Sequence, residues 1–156
     1  MRRHMRNGLI IIFISFIAVC INCSKDNPVG PIGEDPNIKM ISIPRGSFLM
    51  GAEVEDKFVT SDLLYYMRPV HMVYLDGFEM SETEITQRQY KAVMQTNPSQ
   101  AVGDSLPVNN VSWYDAAQFC NRLSDYYRLE RCYNESSWEC DFSKNGCRLP
   151  TEAEWE

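Results

Sequence analysis

The chain has 156 residues, 44% of them hydrophobic and 23% charged, with six cysteines and a net charge of −6. That length suits one ordinary domain, and that balance is globular rather than disordered or fibrous. No basic run follows the first few residues, which argues against nucleic acid as a partner, and so many cysteines point away from a reducing cytosol.

In chain order, Arg2, Arg3 and Arg6 give a positive start, and residues 9–19 form an almost unbroken apolar run. The run falls well short of the ~20 residues a membrane-spanning helix needs. Its length is that of a signal-peptide core, so export is expected. Cys20-Ile21-Asn22-Cys23 ends the run as a C-x-x-C, which admits a redox pair, half a zinc site or a lipoprotein cleavage site. A redox pair needs a strand-to-helix setting to depress a thiol pKa, and a zinc site needs a second pair. The polar Ser24-Lys25-Asp26 that follows fits the third reading. Cys23 is then the expected lipid anchor, with Cys20 as the alternative, although Asn22 and Val19 both depart from the small residue that usually precedes the acylated cysteine. Residues 1–23 read as a lipoprotein signal peptide. Residues 24–38, rich in Pro and Gly, read as a flexible tether that cannot bury a core.

From residue 39 the elements are short. Met40 to Ile43 and Phe48 to Met50 read as two strands around a turn at Pro44-Arg45-Gly46-Ser47. Residues 53–68 lack a period and read as a loop. Val70, Met72 and Tyr74 alternate with His71, Val73 and Leu75, and Asp76-Gly77 signals a tight turn with Phe78 to Met80 returning. Thr86-Gln87-Arg88-Gln89 is a capping box, and behind it Tyr90, Val93 and Met94 mark one face of a helix. Ser112 caps a second helix with Asp115 in its first turn, and Ala116, Phe119, Cys120, Leu123 and Tyr127 make its core stripe. Thr151-Glu152-Ala153-Glu154 is another capping box, behind Pro150. A helix needs about 12 residues to be even marginal alone, so the expectation is a longer natural chain.

Taken together, several segments resemble the formylglycine-generating enzyme, or sulfatase-modifying factor, family. They are Ile43-Pro44-Arg45-Gly46-Ser47-Phe48-Leu49-Met50-Gly51, Pro69-Val70-His71-Met72-Val73, and Glu82-Thr83-Glu84-Ile85-Thr86 with Gln89-Tyr90. Pro107-Val108, Val111-Ser112-Trp113-Tyr114-Asp115-Ala116-Ala117 and Phe119-Cys120 continue the pattern. It ends on Arg148-Leu149-Pro150-Thr151-Glu152-Ala153-Glu154-Trp155-Glu156, the most specific stretch. The resemblance implies an α+β domain with an irregular C-type-lectin-like fold of short strands and short helices. Residues 39–156 would be its N-terminal part, C-terminally truncated, in a bacterial lipoprotein anchored to the cell envelope. It also implies copper and calcium in a full-length active enzyme, and a sulfatase polypeptide as partner, whose cysteine is oxidised to formylglycine. The copper-binding cysteines and calcium sites of the family lie downstream of the final nonapeptide, so no position here inherits a catalytic, cofactor or metal role, and whether the chain belongs to an enzyme stays open.

Among the thiols, Cys120 sits on the apolar stripe of the second helix, where a buried inert or disulfide-bonded cysteine is the ordinary reading. Cys132 and Cys140 flank a plausible turn and are the expected disulfide partners, with a metal site as the rival. Cys147 is left to pair with Cys120 or with a cysteine outside this sequence. His71 reads as a hydrogen-bonded structural residue. The acids at Glu82, Glu84, Glu152, Glu154 and Glu156 are explained as helix-start carboxylates before a calcium site. Two functions of different class follow: a formylglycine-generating oxidase of exported sulfatases, or a non-catalytic lectin-like surface lipoprotein that binds an envelope ligand or a protein partner.

Overall fold

The computed structural model describes residues 20–21, 35–51 and 68–156. In chain order the elements are β1 (Cys20–Ile21), β2 (Met40–Ile43), β3 (Gly46–Met50), β4 (His71–Leu75), β5 (Phe78–Ser81), α1 (Gln87–Met94), α2 (Trp113–Tyr126), β6 (Cys147–Arg148) and α3 (Glu152–Trp155). Strands and helices are both short and segregated along the chain, an α+β arrangement. The first 19 residues and residues 22–34, which include Cys23, lie outside the described part, as do residues 52–67.

The strands pair differently from the two hairpins expected locally. β2 pairs β5, with Ile43 opposite Phe78, and β3 pairs β4, with Gly46 opposite Leu75. The two ladders are successive parts of one antiparallel ribbon, interrupted where Pro44 and Arg45 face Asp76 and Gly77. Proline has no N–H to continue a ladder, so the ribbon breaks there instead of turning back. Gly77 shows how closely the two chains approach: a Cβ on it would lie 3.3 Å from the Arg45 nitrogen and 3.4 Å from the Ile43 oxygen. Beyond β5 the sheet runs β2-β5-β1-β6, and β1 pairs antiparallel with both of its neighbours.

All three capping boxes form. Thr86 accepts from the Gln89 amide while the Gln89 side chain takes the Thr86 N–H. Ser112 with Asp115 and Thr151 with Glu154 repeat the exchange at α2 and α3. Each box satisfies amides that the first helical turn leaves without partners. Helix α1 stops at Gln95, whose φ of 63° closes it in the left-handed region.

The core lies between α1, α2 and β6 rather than on the ribbon. Ala116, Phe119, Cys120 and Leu123 are buried along α2 as their spacing requires, and Tyr90 and Met94 are buried on α1. The Tyr90 and Phe119 rings stack at 5.3 Å, only 10° from parallel. Ile85 and Val108 close the core from the connecting segments, both wholly buried. Pro36 and Ile38, which the sequence places in the tether, are buried as well.

Two buried amides organise the loops around this core. Gln87 donates to the carbonyls of Ala101 and Pro107 and accepts from the Asn97 side chain and the Gly103 amide, which pins the long α1–α2 connection. Asn121 donates to the Tyr133 carbonyl and accepts from the Tyr133 amide, so one side chain takes the place of a neighbouring strand for that residue. Among the described residues no buried side-chain polar atom lacks a partner, as native interiors require.

Candidate functional site

Tyr133 stands where two groups of side chains meet. Its hydroxyl accepts from the Leu149 amide at 3.0 Å. Its ring meets the edge of Trp113 at 5.6 Å, nearly perpendicular. On one side of it lies an ion pair with two thiols, and on the other a patch of exposed and half-buried rings.

The ion pair joins β6 to α3. Arg148 donates to both Glu154 oxygens, at 2.7 and 2.6 Å. The two side chains are only 12% and 9% exposed. Arg148 also lies 5.0 Å from the Phe142 ring centroid and donates to the Leu149 carbonyl. Burial pulls the Glu154 carboxyl up, but the hydrogen bonds from Arg148 and Thr151 outweigh it and hold it below its ordinary value. Glu154 is thus a helix-start carboxylate, as expected, and also one half of a partly buried bidentate pair, which its spacing of six residues from Arg148 did not disclose.

Cys132 and Cys140 come together beside this pair. Tyr133 and Cys140 face each other in an antiparallel bridge, and the Asp141 amide donates to the Cys132 carbonyl. Cys132 and Cys140 are free thiols in the structure, with no bond between them. Burial pushes the Cys132 thiol up, against a hydrogen bond from Gly146 and the charge of Arg148. Burial, and then the neighbouring Cys132, push Cys140 up as well. Cys120 is wholly buried on α2, and Cys147 is wholly buried on β6, where its amide donates to Ser124. His71 is exposed and donates from Nδ1 to the Pro69 carbonyl at 2.9 Å. Of the other acids, Glu82 pairs with Lys39 at the surface and Glu156 accepts from the Gly51 amide.

These groups do not fit the ions the family resemblance implies. Copper(I) takes soft thiolates within reach of one ion, whereas Cys120, Cys132 and Cys147 are buried in the apolar core. Calcium takes six or more oxygens, and among the described residues no three His, Cys, Asp or Glu side chains converge to hold a metal.

The ring patch is the second group, and sequence reading missed it. Trp113 and Tyr114 open α2, outside its buried stripe, and are 41% and 56% exposed. Trp138 comes from the turn between Cys132 and Cys140. It meets Tyr114 at 5.3 Å and Trp113 at 6.5 Å, while Trp113 and Tyr114 meet at 5.5 Å. Ring planes cross at 62° to 85°, the edge-to-face geometry that the ring quadrupole favours. Trp138 has a φ of 61°, a left-handed conformation that a bulky residue rarely adopts. The turn that holds it is built on Asn134, whose side-chain oxygen accepts from the Ser136 and Ser137 amides and whose carbonyl accepts from Trp138. The available signal was the pair of adjacent aromatics that the helical stripe did not need.

Comparison with known proteins agrees with this fold. The chain is 31% identical over 170 aligned residues to the chaperone protein LppX of Paenibacillus barcinonensis, covering 97% of this chain and 54% of that protein. The solved structure of Treponema denticola variable protein 1 superimposes with a TM-score of 0.62 at 32% identity, over 83% of this chain and 55% of that one. The structure of CarF matches with a TM-score of 0.53 at 24% identity, over 78% of this chain and 55% of that one, which speaks for the fold alone. The chain spans about half the length of these relatives. The fold is the irregular C-type-lectin-like one that the resemblance implies. Residues 29–156 match the sulfatase-modifying factor enzyme 1-like domain, and the chain belongs to that family.

Proposed function

We propose that this chain serves as a non-catalytic binding module, exported and held at the bacterial envelope by a lipid on Cys23. The observation that carries the reading is the ring patch in which Trp113 and Tyr114 are exposed and Trp138 is half-buried against the core, held partly by a strained backbone. Backbone strain of this kind costs roughly 1–3 kcal/mol and persists where the surroundings over-determine it, as at ligand sites. Exposed aromatic clusters are also the surfaces that most often carry binding energy. Among the described residues no helix is long and apolar enough to cross a membrane.

The oxidase of exported sulfatases is the competing reading, and one experiment separates the two. The purified protein is incubated with a Cys-x-Pro-x-Arg peptide, copper and oxygen, and the peptide is assayed for aldehyde with a hydrazide. In parallel, binding to glycan and peptide arrays is scored for the native protein and for Trp138→Gly. The binding reading expects no aldehyde and array binding that Trp138→Gly removes. Aldehyde formation over many turnovers would overturn it.

A further inference from the structure

The ring patch sits in a markedly acidic surround. The two segments that build it, residues 112–118 and 132–142, carry Asp115, Glu135, Glu139 and Asp141 and not one Lys or Arg. Asp115 is occupied at the α2 cap, where Ser112 donates to it at 2.6 and 2.8 Å. Glu135 is offset by Arg131 at 3.2 Å. Glu139 is exposed next to Trp138, and its carboxylate accepts the Ser137 hydroxyl at 3.3 Å. The whole chain is acidic too, at −6. Rings attract cations through the negative potential of their faces, and nearby carboxylates add to that attraction.

We propose that Trp113, Tyr114 and Trp138 form a docking surface for the guanidinium or ammonium group of a basic protein segment, with Glu139 as its charge partner. Openness favours a side chain presented by a larger partner. Small-molecule sites bury most of their ligand in a cavity, whereas Trp113 and Tyr114 remain 41% and 56% exposed. A guanidinium laid against a ring face needs no such enclosure, because it stacks and keeps its edge hydrated. The perpendicular rings give it more than one wall to meet. This inference rests on the binding reading given above and adds the chemistry of the ligand.

The test uses the full chain and three probes: a blocked peptide with two arginines, the same peptide with glutamine at both positions, and methyl glucoside. Intrinsic tryptophan fluorescence is titrated at low and at physiological salt. A saturable change with the arginine peptide is expected, weakened several-fold by salt and absent with the other two. Trp138→Gly, which suits the left-handed backbone and so preserves the turn, should weaken binding at least tenfold. Glu139→Gln should weaken it less and flatten the salt dependence. Equal binding of the glutamine peptide, or binding of the glucoside alone, would overturn the cation while leaving a binding patch in place. No saturable response from any probe would overturn the proposal, and the array experiment would then decide the binding reading separately.

Discussion

Substituting Glu154 by Gln removes one charge from the pair that joins β6 to α3 and leaves the rest of the geometry nearly isosteric. Breaking a buried pair from one side costs about 3–5 kcal/mol, because the remaining charge stays desolvated and unpaired. Arg148 keeps its contact with the Phe142 ring and its bond to the Leu149 carbonyl, and a glutamine oxygen still accepts from the Thr151 amide. The lower end of that range, about 3 kcal/mol, is therefore expected. With a urea slope of about 1.5 kcal/mol per molar, the midpoint followed by tryptophan fluorescence should fall by about 2 M. A fall of less than about 0.5 M would refute the claim that this pair secures the C-terminal elements. Replacing both partners, Arg148→Met with Glu154→Leu, removes both desolvation costs and should return stability to within about 1 kcal/mol of the parent.

The same pair sets an acid limit. The Glu154 carboxyl is held below its ordinary 4.5 in the folded chain, so the unfolded chain binds its proton more readily. Its contribution is fully present above pH 4.5 and is lost as pH falls through the depressed folded value. The parent should lose stability steeply below that point. Glu154→Gln, with no carboxyl to protonate, should show a shallower acid limb, and parallel limbs would place the acid sensitivity elsewhere.

Three further outcomes are expected. A Cβ on Gly146 would collide with the Glu130 carbonyl oxygen and lie 2.9 Å from the Ser124 hydroxyl, so Gly146→Ala should cost about 2–3 kcal/mol and lower the melting midpoint by roughly 5–10 °C; an unchanged melt would show that this backbone yields. If the expected Cys132–Cys140 disulfide forms on export, it would join two thiols that are free in the structure, and reduction should cost about 2.5 kcal/mol for a loop of this length; labelling of both thiols in the denatured protein without reductant would refute the disulfide. If the proposed lipoprotein cleavage ahead of Cys23 occurs, it removes β1, so the amides of residues 79–80 and 147–148 should exchange faster in the processed protein than in its precursor, and equal protection would show that β1 does not support the sheet.

Local patterns in the sequence were most legible where the physics is local. Thr86, Ser112 and Thr151 each satisfy their own helix within three residues, so spacing alone located all three caps. The stripe from Ala116 to Leu123 was equally plain, because a helix buries one face at a fixed period. Strand pairing was not. Pro44-Arg45 and Asp76-Gly77 carry turn chemistry, but which strand lies opposite depends on contacts between residues some 30 positions apart. Gln87 and Asn121 gave no sign of their burial, since a polar side chain goes inside only where loop backbone comes to meet it. The ring patch was hidden for a similar reason: Trp138 is brought to Trp113 and Tyr114 by a turn in a left-handed conformation that no periodicity announces.

The leader and the sheet make competing claims on one short segment. Cys20 and Ile21 pair with β5 on one side and β6 on the other, yet the lipoprotein reading discards them. A lipid on Cys20 would keep both residues but tie the first residue of β1 to the membrane. A lipid on Cys23 avoids this but opens a gap of about two strand spacings, near 10 Å, between β5 and β6. Open edges of that kind invite pairing with any extended chain nearby. In a processed lipoprotein that exposure would last for its lifetime, so the four-stranded sheet would persist only with a strand from elsewhere in the gap. The exchange rates of residues 79–80 and 147–148 therefore report on more than the leader, because protection that survives processing requires a substitute strand between β5 and β6.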